Sequence, residues 1–486
     1  NNLIGVNAGD SLTEGNYNTA IGYNALALED TGGNAVAIGY YALNKQNYDG
    51  NSYNIAIGHS AGQELQTGLQ NTLIGAFAGD ALTTSSHNTA VGYASQSAAN
   101  VGTGNTSLGF QTLNTNVDGS KNVAIGHNAL YAMEPASASD TYNVAIGYSA
   151  GVSISTATQN TIVGGLAGDA LTTGGSNVAL GYAALSGDVA GTDNVALGYY
   201  AMGNTDNARG NVAIGYQALT VLDYASLTYS HNIGIGFYAG QNVSTGKFNT
   251  LVGGLAGDAL TEGDYNVALG YHALGSEDEF GYNVAIGAFA LMTQNAADNA
   301  FNVAVGYSAG TNITTGVRNT IMGGSAGDAL TTGASNIAIG YNSLTSGTIA
   351  SNNVAIGRQS LEANVLADRN VAVGMNALQQ MVGNGGDNHT TYNAAVGYQA
   401  GKAVTTGTQN TIVGANSGDA ITTGEGNTSL GYASLTGNVT GDYNTAIGYQ
   451  SLLVYDSADG TGHNIAIGTN TGLSMTGGTS NVLVGN

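Results

Sequence analysis

The 486-residue sequence contains no cysteine and no tryptophan, a single proline, and only 8 Lys and Arg against 31 Asp and Glu. Without cysteine there is neither a disulfide framework nor a thiolate metal site, and thiol usage says nothing about redox compartment. The formal net charge of −23 leaves no basic stripe to neutralise phosphates, which argues against nucleic acid as a partner. No run approaches the ~18 consecutive apolar residues that span a bilayer, and no charged segment leads into an apolar one at the start. The chain opens without Met and stops in mid-pattern at Asn486, so it reads as an excerpt of a longer protein.

Glycine is abundant instead, at 77 residues, alongside 42% hydrophobic residues. That mixture is neither collagen-like nor disordered, and its order lies in a repeat. The motif Asn-x-Ala-Ile-Gly-Tyr-x-Ala-Leu recurs from end to end, as at Asn18 to Leu26, Asn177 to Leu185 and Asn444 to Leu452. With Asn as position one there are 28 starts, and 21 of the 27 intervals are 17 residues long. Position five is glycine in all 28 copies, and the leading Asn is replaced only at Ala35. A unit this short, rich in Ala, Val, Ile, Thr and Gly, cannot hold a helical hairpin. It fits one turn of an all-β parallel β-solenoid of about 28 coils, forming one continuous domain over residues 1–486.

Side chains alternate along a strand. Placing the branched aliphatics of positions two and four in the core sends positions three and five outward, where they are Ala and Gly in 18 of the 28 coils. A flat stripe of small residues such as Ala124, Ala145, Ala179 and Ala355 then allows a second backbone to approach. A bend at glycine alone would explain position five but not position three. The in-register Asn is expected in a turn, tolerating left-handed geometry and bonding to the Asn of the next coil as a ladder. Asn105, Asn312 and Asn438 also fit the glycan-acceptor sequon. Tyr at position six in 13 coils suggests a stack of rings along the roll.

A second period rides on the first, with super-repeats beginning near residues 1, 71, 160, 249, 319, 410 and 481. In these coils position three is bulky, as Leu73, Ile162, Leu251, Ile321 and Ile412, which on the outward assignment become knobs fixing axial register between associated chains. Every interval longer than 17 residues begins two coils before such a knob, and its extra residues, including Glu134 to Tyr142, Asp223 to His231 and Gly383 to Tyr392, form polar projections.

The chemistry of sites is sparse. Asp10, Asp80, Asp169, Asp258, Asp328 and Asp419 recur in register but four or five coils apart, which suits turn capping rather than a calcium site. The seven histidines, His59, His87, His127, His231, His272, His389 and His463, have no ligand spacing. No catalytic, cofactor-binding or metal residue is expected, and the chain is not read as an enzyme.

The Asn-x-Ala-Ile-Gly-x-x-Ala/Ser pattern resembles the head repeats of trimeric autotransporter adhesins, and the Asn18 to Leu26 version looks like repeats of phage tail fibres and related bacterial surface proteins. The resemblance covers essentially the whole chain; the 17-residue period and the inserted loops depart from the adhesin-head pattern. It implies a left-handed β-roll, three chains packed side by side, an extracellular place on a cell surface or virion tail fibre, and attachment to a host or cell-surface receptor, glycan or protein. A purely structural filament of single-chain solenoids is the alternative. An ice-binding solenoid is less favoured, because the Thr-Thr pairs recur only every four or five coils.

Overall fold

A computed structural model describes residues 1–98, 101–383, 390–457 and 460–486. It is all-β, with no helix among these residues, and it falls into two compact units, 1–247 and 248–486. In the first unit fourteen three-residue strands, from Asn2–Ile4 to Ile233–Ile235, pair in parallel with the strand one coil on. The register is unshifted: Thr19 faces Val36, Ala20 faces Ala37 and Ile21 faces Ile38. The second unit repeats the arrangement with fourteen strands from Thr250–Val252 to Val482–Val484. Each unit is therefore a parallel β-solenoid with one coil per sequence repeat.

Short strands and tight corners follow from the backbone. Three residues per coil take left-handed φ, at positions seven, nine and seventeen, for example Asn24 at 52°, Leu26 at 53° and Asn34 at 59°. Position five has φ near 140°, as in Gly164 at 142°, a region closed to other side chains. A Cβ there would also overlap the carbonyl oxygen of the equivalent glycine in the next coil. The bend alone thus accounts for glycine at position five.

The alternation has the opposite phase to the one expected. Position three faces inward: Ala20, Ala37, Ala56 and Ala90 are fully buried. Positions two and four, flanking them on the same strands, are half-buried or exposed. The interior is completed by Ala at position eight and by leucines at positions nine and twelve, such as Ala25, Leu26, Leu65 and Leu82, all fully buried. A 17-residue coil encloses little volume. The strand side can bring only a methyl to the axis once leucines arrive from the other two sides, and close packing decides the phase.

The bulky residues at position three obey the same volume rule. Leu73 lies in a coil whose ninth position is Gly79, and a Cβ on Gly79 would meet the Leu73 Cδ2 at 2.8 Å. Ile162 pairs in this way with Gly168 and Leu251 with Gly257. The bulky side chain at position three takes the space beside the glycine at position nine of its own coil.

Candidate interaction face

The nine residues expected on an outward association stripe, Leu73, Ile162, Leu251, Ile321, Ile412, Ala124, Ala145, Ala179 and Ala355, are all fully buried within their own coils. They are core residues and offer nothing to a neighbour. The knobs are fillers of the space left by glycine at position nine, a correlation present in the sequence but not used in placing them.

The Asn ladder is formed, though not in the manner expected. The Asn residues of position one are not in the left-handed region; that conformation belongs to the residue before each, such as Gln70 at 55° and His87 at 62°. Each Asn side chain points inward. Asn71 Oδ1 accepts the backbone N–H of Asn88 at 3.0 Å, and Asn71 Nδ2 donates to the Ser85 carbonyl at 2.9 Å and to Asn54 Oδ1 at 3.1 Å. Of the sequon asparagines named above, Asn105 and Asn438 are fully buried in hydrogen bonds to backbone carbonyls, whereas Asn312 is exposed. The structural role excludes glycan attachment to the first two in the folded chain.

What the coils do present is the side chains of positions two and four. Ile57 is 37% exposed, Leu108 47%, Leu180 50% and Leu430 47%. Repetition in register makes position four an aliphatic column along the sheet face of each unit, beside a position-two column of mixed Val, Ile and Thr. Fourteen coils at about 4.8 Å, three residues wide at about 3.3 Å each, give that face roughly 650 Å² of projected area per unit. A monomer in water rarely leaves a patch of this size uncovered.

Rows of rings adjoin the face. Just past the strand, Tyr23, Tyr40 and His59 stack at 5.2 and 5.1 Å, and Tyr93, Phe110, His127 and Tyr148 at 5.4, 4.8 and 5.4 Å. Just before the strand, Phe248, Tyr265, Tyr282 and Phe301 stack at 5.0, 5.2 and 5.1 Å. The expected ring stack is thus present, and each stacked ring covers its neighbour's face.

The long intervals are anchored at their bases. Ser139–Asp140 pairs with Gly119–Ser120, and Asp223–Tyr229 with Asp206–Arg209, while Ala136 to Asp140 stay exposed. Cations clamp rings at the same places: Lys121 lies 5.1 Å from the Tyr142 ring centroid, Arg209 4.1 Å from Tyr229 and Arg369 5.7 Å from Tyr392. The hydrogen bond from Lys121 to Asp140, helped by Tyr142, pushes the lysine up to about 12. Of the projection at 383–392, residues 384–389, including His389, lie outside the described residues.

Asp80, Asp169, Asp328 and Asp419 are half-buried, and burial raises their carboxyls; their own backbone N–H and that of the following residue partly oppose the shift. Among the described residues no group of three or more His, Cys, Asp or Glu is placed to hold a metal ion, and no helix is long and apolar enough to cross a membrane. The chain matches no protein-family model and no curated protein sequence.

Proposed function

We propose that the chain is a segment of a structural or adhesive extracellular fibre, in which copies pack side by side through the aliphatic face of positions two and four while the loops are left free for attachment to a surface. The observation that supports this is the outward position-four column of each unit, Val, Ile or Leu in every coil but that of Met322, flanked by Val, Ile or Thr in most coils at position two. Burying such a face contributes about 25 cal/mol per Å², and only a partner with the same coil spacing can cover it along its length. A second copy of the chain has that spacing by construction. Three copies is the number implied by the resemblance to trimeric adhesin heads and tail fibres, and no catalytic step belongs to this reading.

Mass measurement by sedimentation equilibrium tests it. The purified chain is expected to be trimeric, and Leu108→Lys with Leu180→Lys to be monomeric with an unchanged β-type circular dichroism spectrum. A parent chain that stays monomeric at high micromolar concentration would remove the proposal.

A further inference from the structure

The ring row at position six is interrupted at intervals, in some coils by Gly or Ala. In the coil beginning at Asn71 position six is Ala76, and the following residue, Phe77, fills the gap: its ring lies 5.1 Å from His59 in the coil before and 5.8 Å from Tyr93 in the coil after. In the coil beginning at Asn283, Ala288 is likewise followed by Phe289, whose ring sits 5.6 Å from Tyr271 and 6.0 Å from Tyr307, edge-on to both at 87° and 86°. A small residue at position six therefore opens a slot between two rings two coils apart, and the slot is the size of one aromatic ring.

Two further slots in the second unit have no such filler. Gly324 lies between Tyr307 and Tyr341 and is followed by Ser325; Ala415 lies between Tyr398 and Tyr432 and is followed by Asn416. Among the described residues Tyr341 and Tyr398 touch no other ring, and Tyr307 touches only Phe289, on its far side. Tyr307 and Tyr341 are correspondingly open, at 61% and 57% exposure. The fold does not demand glycine at 324. Its φ is not left-handed, and a Cβ there would have only Tyr341 Cδ2 as a neighbour, at an ordinary 3.6 Å.

Resting on the side-by-side association proposed above, we infer that the Tyr307–Tyr341 and Tyr398–Tyr432 slots each receive an aromatic side chain from a second copy of this chain. Phe77 and Phe289 show which group fits such a slot and the edge-on pose that it takes. The two slots border the aliphatic face, so a copy that covers the face reaches them. They also lie five coils apart, and a partner that fills both must carry rings at this chain's own spacing.

The slots can be closed from within. Ser325→Phe and Asn416→Phe, at positions where the chain elsewhere uses Phe77 and Phe289, place an internal ring in each. Sedimentation equilibrium on the full chain is expected to show association weakened by about tenfold for the pair, an aromatic contact being worth a factor of roughly two to ten. Tyr341→Ala, which removes an exposed ring with no ring partner, is expected to weaken association in the same direction, with the thermal unfolding of the dilute monomer unchanged. Association equal to the parent's in both variants would overturn the slot inference while leaving the covered face standing. A monomeric parent would overturn both.

Discussion

Asn160 Oδ1 accepts the backbone N–H of Asn177 at 3.0 Å, one coil further along, and also the Asn177 side-chain amide at 3.1 Å. Its own Nδ2 donates to the Gly174 carbonyl at 3.0 Å. The side chain thus satisfies buried backbone groups in two turns of its unit, and no other residue type combines an acceptor and a donor at this reach.

Asn160→Ala leaves the Asn177 N–H and the Gly174 carbonyl buried without these partners. Each such group costs about 1–3 kcal/mol, so a loss of about 2–4 kcal/mol is expected in denaturant unfolding. Asn312→Ala, at an exposed position, is expected to stay within about 0.5 kcal/mol of the parent. Equal effects would show that the ladder carries no special weight.

The glycines separate into those the fold needs and those it does not. Gly164→Ala would set a Cβ against the Gly181 carbonyl at a φ of 142°. It is expected to cost about 3 kcal/mol or more, or to prevent folding. Gly324→Ala meets ordinary contacts and is expected to be neutral within about 1 kcal/mol. Paired melting curves would check the contrast.

Much of the fold could be read from the sequence because the repeat dictates it: coil length, strand position, parallel register, Asn ladder and ring stack all follow from residues recurring every 17 positions. The facing of the strand could not be read by hydrophobicity, since Ile21 and Ala20 are both apolar and either could be inside. Volume decides it: Leu73 at position three is accommodated where position nine is Gly79, which shows that the two positions face the same interior. The small-residue stripe of position three is interior for this one reason. The ring slots escaped notice because they depend on whether Phe77 bends into the space above Ala76, which spacing does not reveal.

Burial separates Asn312 from two other sequon asparagines. Asn105 and Asn438 are enclosed, with their side-chain amides donating to the carbonyls of Gly119 and Gly441 at 2.9 and 2.8 Å. Expressed in a glycosylating host, the folded chain is expected to carry glycan at Asn312 and none at Asn105 or Asn438. Peptide mapping by mass spectrometry would decide it, and glycan at Asn105 on folded protein would contradict the inward ladder.

Two interior carboxyls make stability depend on pH in an unusual direction. Burial pushes Glu277 up to about 7 and Asp188 up to about 6, and the Phe280 and Gly191 N–H groups offset only part of this. The neighbouring carboxylates Asp278 and Asp206 add to the rise, and among the described residues Glu277 Oε2 and Asp188 Oδ2 are buried without a hydrogen-bond partner. Well below their ordinary values both carboxyls are protonated in the folded and the unfolded chain. As pH climbs from their ordinary values, 4.5 and 3.8, the unfolded chain releases its protons first, so stability falls until the folded groups ionise, and it levels off above about pH 7. Glu277→Gln removes one of the two contributions. It is expected to match the parent at pH 4 and to exceed it by about 2 kcal/mol at pH 8. Denaturant midpoints at both values would test this, and a parent chain more stable at pH 8 than at pH 4 would contradict it.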